Sequence, residues 1–230
     1  MPTALVVGSS SGIGHALARR LVDTGYAVVG MARRDAGIAH ERYRHVVADV
    51  RAPEFRAQLT DVLDSIGAPL ELCVYSTGIG HPLDLADMTH DADTFATNLT
   101  GLGITAEVVI PRMIAAKRGH LIGLSSQADR WIDGDAPSYS ASKAGMSSYL
   151  EGLALACRKH GVAVTNIRFG FVDTEMAKSD IRPFIVSAER AAKVVERCIR
   201  SRPIRHTFPR RIAVLLWLAR IPRGIRILLS

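Results

Sequence analysis

The feature that most narrows the fold lies in the first two dozen residues. Thr3-Ala4-Leu5-Val6-Val7 is a short apolar run of the kind found in buried parallel strands. Gly8-Ser9-Ser10-Ser11-Gly12-Ile13-Gly14 follows at once, and from His15 to Thr24 the residues Ala16, Leu17, Ala18, Leu21 and Val22 recur at helical spacing. Strand, glycine turn and helix in that order form the setting of a dinucleotide fingerprint. The glycines permit a tight turn and a close backbone approach, and the helix N-terminus offers free N–H groups to a pyrophosphate. A flexible loop is the duller reading of such glycines, and the flanking strand and helix argue against it.

The remainder of the chain repeats the alternation. Tyr26–Ala32, His45–Ala48, Glu71–Tyr75, Gly119–Ser125 and Val162–Phe169 read as strands. Pro53–Ile66, Asp93–Ala116, Ser138–His160 and Ser187–Ser201 read as helices. That order predicts an α/β fold, a doubly wound parallel sheet covered on both faces, with its ligand across the carboxyl ends of the strands where the strand order reverses. No linker, repeat or low-complexity stretch divides the 230 residues, so a single domain is expected. Residues 1–204 are assigned to the dinucleotide-binding and catalytic domain. Residues 205–230 are assigned to a basic and apolar extension, packed on that domain or on a partner surface.

Tyr139-Ser140-Ala141-Ser142-Lys143 places a phenol and an ammonium on one helical face. The ammonium favours phenolate and should lower the phenol pKa toward neutrality, which makes the tyrosine a proton donor. An isolated pair of this kind is common on solvated helices, so its company decides the matter. Ser126 stands thirteen positions upstream of Tyr139, and Asn98 lies in Thr97-Asn98-Leu99-Thr100.

Gly8-x-x-x-Gly12-x-Gly14, Asn98, Ser126 and Tyr139-x-x-x-Lys143 together resemble the signature set of the short-chain dehydrogenase/reductase family, in order and spacing along residues 3–175. The resemblance implies a Rossmann fold and an oxidoreductase that moves a hydride between a nicotinamide and a carbonyl or alcohol. It implies that Tyr139 donates the proton, Ser126 orients the substrate oxygen, Lys143 holds the nicotinamide ribose and lowers the phenol pKa, and Asn98 positions a water behind the lysine. It further implies cofactor contacts at Gly8, Ser10, Ser11, Gly12, Ile13, Gly14, Asp49, Val50, Thr77, Gly78, Gly170, Val172 and Thr174, with Asp49 reaching the adenine amino group. Asp49 also has an ordinary role open to it, capping the turn after its strand. Three departures stand out: Val7 in place of a threonine, Tyr75-Ser76-Thr77-Gly78 in place of Asn-Asn-Ala-Gly, and Phe169-Gly170 in place of Pro-Gly. The first two remove polar side chains that normally tie the central strands together. A non-catalytic dinucleotide-binding sensor or scaffold of the same fold is the alternative, and it would have no need of the complete tetrad.

An acid at the end of the second strand would select NAD by binding a ribose 2′-hydroxyl. This chain has Ala32, then Arg33 and Arg34. A guanidinium pairs well with a 2′-phosphate, so Arg33 favours NADP(H), with NAD(H) possible. The expected pocket segments, Gln127–Pro137 and Thr174–Val186, mix apolar and charged residues and do not choose among alcohols, sugars and ketones.

Three cysteines, Cys73, Cys157 and Cys198, sit in apolar surroundings and read as buried thiols, and eight histidines show no metal-ligand spacing. With Met1-Pro2-Thr3 leading straight into a strand, a cytoplasmic setting is expected. The tail from Arg205 is rich in arginine and lacks acids, with Ile212–Ala219 as an apolar run. That run is too short to span a bilayer, but it could pack on its own or a neighbouring subunit, giving a homo-oligomer, or lie on an anionic membrane surface. The formal charge of +7 is partly this tail, and no nucleic-acid-binding module accompanies it, so no nucleic-acid partner is expected.

Overall fold

A computed structural model describes residues 1–174 and 184–211. The chain begins with β1 (Thr3–Val7), α1 (Gly12–Asp23), β2 (Ala27–Ala32), β3 (Tyr43–Val47), α2 (Phe55–Ser65) and β4 (Leu72–Tyr75). Next come α3 (Thr89–Phe95), a π-turn over Ala96–Thr100, α4 (Gly101–Ala115), β5 (Gly119–Ser126) and α5 (Pro137–Cys157). β6 (Val162–Phe169), β7 (Val172–Asp173), β8 (Val186–Ser187), α6 (Ala188–Ser201) and β9 (Arg205–Phe208) follow.

Seven strands form one parallel sheet in the order β3-β2-β1-β4-β5-β6-β9, and β7 and β8 make a separate two-stranded pair. Strand order reverses between β1 and β4, which is where a cleft opens in such a sheet. Phe55, Leu59, Leu102, Val109, Met113, Met146 and Leu150 of α2, α4 and α5 cover one face. Leu17, Leu21, Ala191, Val194 and Val195 of α1 and α6 cover the other. The central strands are apolar on both faces because both are buried. All three cysteines are free and buried.

Two expectations about elements change. The single helix over 93–116 starts earlier, at Thr89, and is interrupted by the π-turn at Asn98. The extension expected from residue 205 begins with β9, which pairs Arg205–Phe208 with Asn166–Phe169 and completes the sheet. The apolar run Ile212–Ala219 lies outside the described residues, as do Met176, Lys178, Asp180, Ile181 and Arg182 of the expected pocket segment. Among the described residues, no helix is long and apolar enough to cross a membrane.

Candidate active site

The glycine turn is built by backbone. Gly8 has φ +92° and Gly12 φ +56°, conformations that side chains disfavour. A Cβ at Gly8 would sit 2.6 Å from Thr77 Oγ1, and one at Gly14 would run into the Gly8 carbonyl and Ser76 Oγ. One at Gly12 would press on Thr174, which brings the loop after β6 down onto the turn. Ser11 precedes α1 in an extended conformation and makes no side-chain cap, and the first turn carries no acid. The leading N–H groups of α1, at Gly12, Ile13 and Gly14, therefore have no capping side chain and suit a phosphate. Ser10 lies half-buried in the turn, while the unpredicted Ser9 is fully buried and accepts a hydrogen bond from Tyr43 on β3 at 3.1 Å.

Ser76 remakes the tie between the central strands. Its hydroxyl lies 3.0 Å from the carbonyls of both Val7 and Gly8, so the polar link carried elsewhere by other residues is supplied here from one position along. Phe169 packs into the α1/α6 core, and the Gly170 N–H donates to the Phe208 carbonyl at 2.9 Å. Val172 is buried and pairs with Val186.

At the far edge of the cleft Arg33 is exposed, and its charge reaches Asp49. Asp49 plays its turn role, accepting from the backbone N–H of Arg51 at 2.9 Å and from the Arg51 guanidinium on both oxygens. Those bonds hold its carboxyl below the usual range. Arg51 also pairs with Asp93 at 2.6 Å, a contact that sequence reasoning missed. Val50 is buried against the start of α4.

The expected catalytic residues converge. Ser126 ends β5, Tyr139 and Lys143 share a face of α5, and the Ser126 hydroxyl lies near enough to the Tyr139 phenol to draw its pKa down. Ser125 turns the other way, donating to the Lys143 carbonyl and pairing with Ser147. Lys143 is buried, with Nζ 3.1 Å from the Leu124 carbonyl and 3.3 Å from Met146 Sδ. A side chain at Gly78 would press on that Nζ at 3.3 Å, and one at Gly80 would strike the Tyr139 ring. Gly80 went unpredicted, although Gly78-Ile79-Gly80 straight after a strand is itself a signal of close approach.

Asn98 is clamped. Its Oδ1 accepts from the Ile79 N–H, and its Nδ2 donates to the Ile79 carbonyl and to Ser142 Oγ, all at 2.9 Å. Ser142, also unpredicted, donates in turn to the Tyr139 carbonyl at 2.8 Å. Its i+3 position from Tyr139 was the available clue.

The electrostatics correct one expectation. Burial pushes the Tyr139 phenol up, and the Ser126 hydroxyl draws it partly back. Lys143 Nζ lies 5.8 Å from the ring centroid and is directed at the Leu124 carbonyl and Met146 Sδ. Burial also lowers the Lys143 ammonium to about 8. Both groups thus resist charging in this enclosure. Asp129, in the expected pocket segment Gln127–Pro137, turns inward. It forms a buried ion pair with Arg168 and accepts from Ser147 at 2.6 Å.

The model of the short chain dehydrogenase family matches residues 2–183. The chain belongs to that family. Short-chain dehydrogenases are oxidoreductases, and the complete tetrad sets this chain with the catalytic members rather than with a scaffold. It is 33% identical to an uncharacterized oxidoreductase of Myxococcus xanthus, over 95% of this chain and 92% of that one. It is 30% identical to the 3-oxoacyl-[acyl-carrier-protein] reductase FabG of Vibrio harveyi, over 76% of this chain and 75% of that one. A solved structure of a single-residue variant of the actinorhodin polyketide ketoreductase with NADPH superposes with a TM-score of 0.78 at 25% identity, covering 90% of this chain and 95% of that one.

Proposed function

We propose that this short-chain dehydrogenase works with NADP(H) on a small carbonyl or alcohol substrate, with Tyr139 as the proton donor and acceptor. The observation that carries the reading is the convergence of Ser126, Tyr139 and the buried Lys143, whose Nζ lies 5.8 Å from the Tyr139 ring centroid. The glycine turn fits a dinucleotide. The turn closes so tightly that a Cβ at Gly14 would collide with the Gly8 carbonyl and Ser76 Oγ, and the N-terminus of α1 has no capping side chain. Gly8, Ser10, Ser11, Gly12, Ile13, Gly14 and Thr174 would hold the pyrophosphate side. Thr77, Gly78, Gly170 and Val172 would line the nicotinamide side. Asp49 keeps a free lone pair on Oδ2 for an adenine amino group. When bound, the nicotinamide supplies or accepts the hydride.

The protein's own residues do the remaining work. Tyr139 holds a proton at its phenol oxygen, since burial keeps the neutral form. It can deliver that proton to an oxygen on which charge develops. Ser126 is a second hydroxyl on the same side, able to donate to that oxygen. Lys143, lowered by burial to about 8, can take up or release a proton around neutral pH within the same enclosure. Asn98 anchors the Ile79 backbone to α5 and so fixes the wall facing Tyr139. Arg33 supplies the charge that favours a 2′-phosphate, and NADPH in the related ketoreductase agrees with that preference. A homo-oligomer in the cytoplasm is part of the same reading.

A panel of ketones, aldehydes and alcohols, tested with NADP(H) and NAD(H) and read by cofactor absorbance, tests the proposal. Turnover with NADP(H) on at least one substrate is expected. Turnover with NAD(H) alone would overturn the cofactor assignment.

A further inference from the structure

Tyr75 is one of the sequence's departures, and its place in the fold is specific. It is fully buried at the end of β4, and its hydroxyl donates to the Thr97 carbonyl at 2.5 Å. Thr97 lies in the π-turn over Ala96–Thr100. In an α-helix the Thr97 carbonyl would accept from the N–H four residues on, which is Gly101. Here the Gly101 N–H bonds to Ala96, five residues back. The π-turn therefore takes away the Thr97 carbonyl's helical partner, and the Tyr75 phenol replaces it. Burial raises the phenol pKa, so the hydroxyl remains a donor. Gly101 completes the fit, because a Cβ there would collide with the Tyr75 hydroxyl.

The next residue after Thr97 is Asn98. A π-turn inserts one residue into the helical register, and a return to α-helix would rotate Asn98 by about 100° around the axis. That rotation would take its amide off Ile79 and Ser142. We infer that Tyr75 is a positioning residue, which acts through Asn98 by holding open the π-turn that aims the amide at Ile79 and Ser142. This rests on the reading of Tyr139 as the proton donor, because Ser142 and Ile79 are the neighbours through which Asn98 fixes the Tyr139 pocket.

The test is Tyr75→Phe, which keeps the ring and removes the hydroxyl, in the full chain with NADPH and a substrate found by the panel. Turnover is expected to fall about 10-fold with little change in KM, and the pH profile of kcat should shift. Asn98→Ala should fall at least as far. The double variant should be no worse than Asn98→Ala alone, because two changes on one route do not add. Amide hydrogen exchange at Ile79 gives a readout independent of turnover, and its exchange should speed up in Tyr75→Phe. Full turnover with an unmoved pH profile, losses that multiply in the double variant, or unchanged Ile79 exchange would each overturn the inference. If Tyr75→Phe does not fold, Gly101→Ala, whose methyl displaces the hydroxyl, is read by the same measurements. If the unmutated protein turns over nothing, the functional reading fails, while the Ile79 exchange still decides whether Tyr75 holds the turn.

Discussion

At the glycine turn the chain works with backbone, and around Asn98 and Tyr139 it works with buried side chains. Gly8, Gly12 and Gly14 shape the first region by having no Cβ, and Ser76, Thr77 and Thr174 close in on them. The second region is a network. Asn98 and Ser142 share one side-chain hydrogen bond, while Ser125, Ser147, Asp129 and Arg168 form a second chain of them, and both are tied to α5 through the carbonyls of Tyr139 and Lys143. The difference teaches where each region is vulnerable. A backbone cradle fails by gaining atoms, and a polar network fails by losing one.

The largest effect should come at the chemical centre. Tyr139→Phe removes only the hydroxyl, so folding and NADPH binding at the glycine turn should survive, while turnover drops ~10²–10⁴-fold. Steady-state kinetics beside a cofactor titration separates the two regions, and near-normal turnover would make the α5 pair structural.

Next comes the network's ion pair. Asp129→Ala leaves Arg168 buried without its carboxylate, a change that typically costs about 3–5 kcal/mol. Denaturant unfolding should register that loss, and a change under about 1 kcal/mol would show that the region does not depend on it.

Lys143 sharpens the contrast through pH. Its folded-state pKa of about 8 lies below the ordinary 10.5, so between those values the unfolded chain holds a proton that the folded chain has released. Stability from this group therefore rises with pH across that window, and its penalty is complete below about 8. Lys143→Met should abolish activity yet stabilise the fold at pH 7 by about 1–3 kcal/mol, and it should flatten the rise. A destabilised variant with an unchanged slope would contradict the assignment.

The smallest effect belongs to the nucleotide end. Arg33→Ala should erase most of an NADPH-over-NADH preference of about 1–2 kcal/mol, measured by cofactor titration, and leave Tyr139 chemistry intact. Equal binding of both cofactors to the unmutated protein would remove Arg33 from the selectivity argument.

The sequence was most legible where periodicity and glycine spacing carry the information. β1, the turn and α1 fell where expected, and β6 matched residue for residue. The tetrad came together because Ser126, Tyr139 and Lys143 sit on adjacent strand and helix ends. What remained hidden was set by contacts between distant segments. Nothing local announces the π-turn, whose Thr97 carbonyl finds its partner in Tyr75 on a strand 22 residues away. Asp129 read as a pocket residue because its partner, Arg168, is 39 positions away. The phenol's raised pKa was likewise invisible, since desolvation depends on the packed surroundings rather than on Lys143 four residues along.

Gly12 meets Thr174, and Arg20 on α1 pairs with Glu196 on α6, 176 residues later. A chain leaving the ribosome exposes its first strand, turn and helix long before the segments that cover them exist. Their closure entropy is met only when β6 and α6 arrive. A fragment ending before Thr174 would therefore carry the full glycine motif without the residue that closes on Gly12.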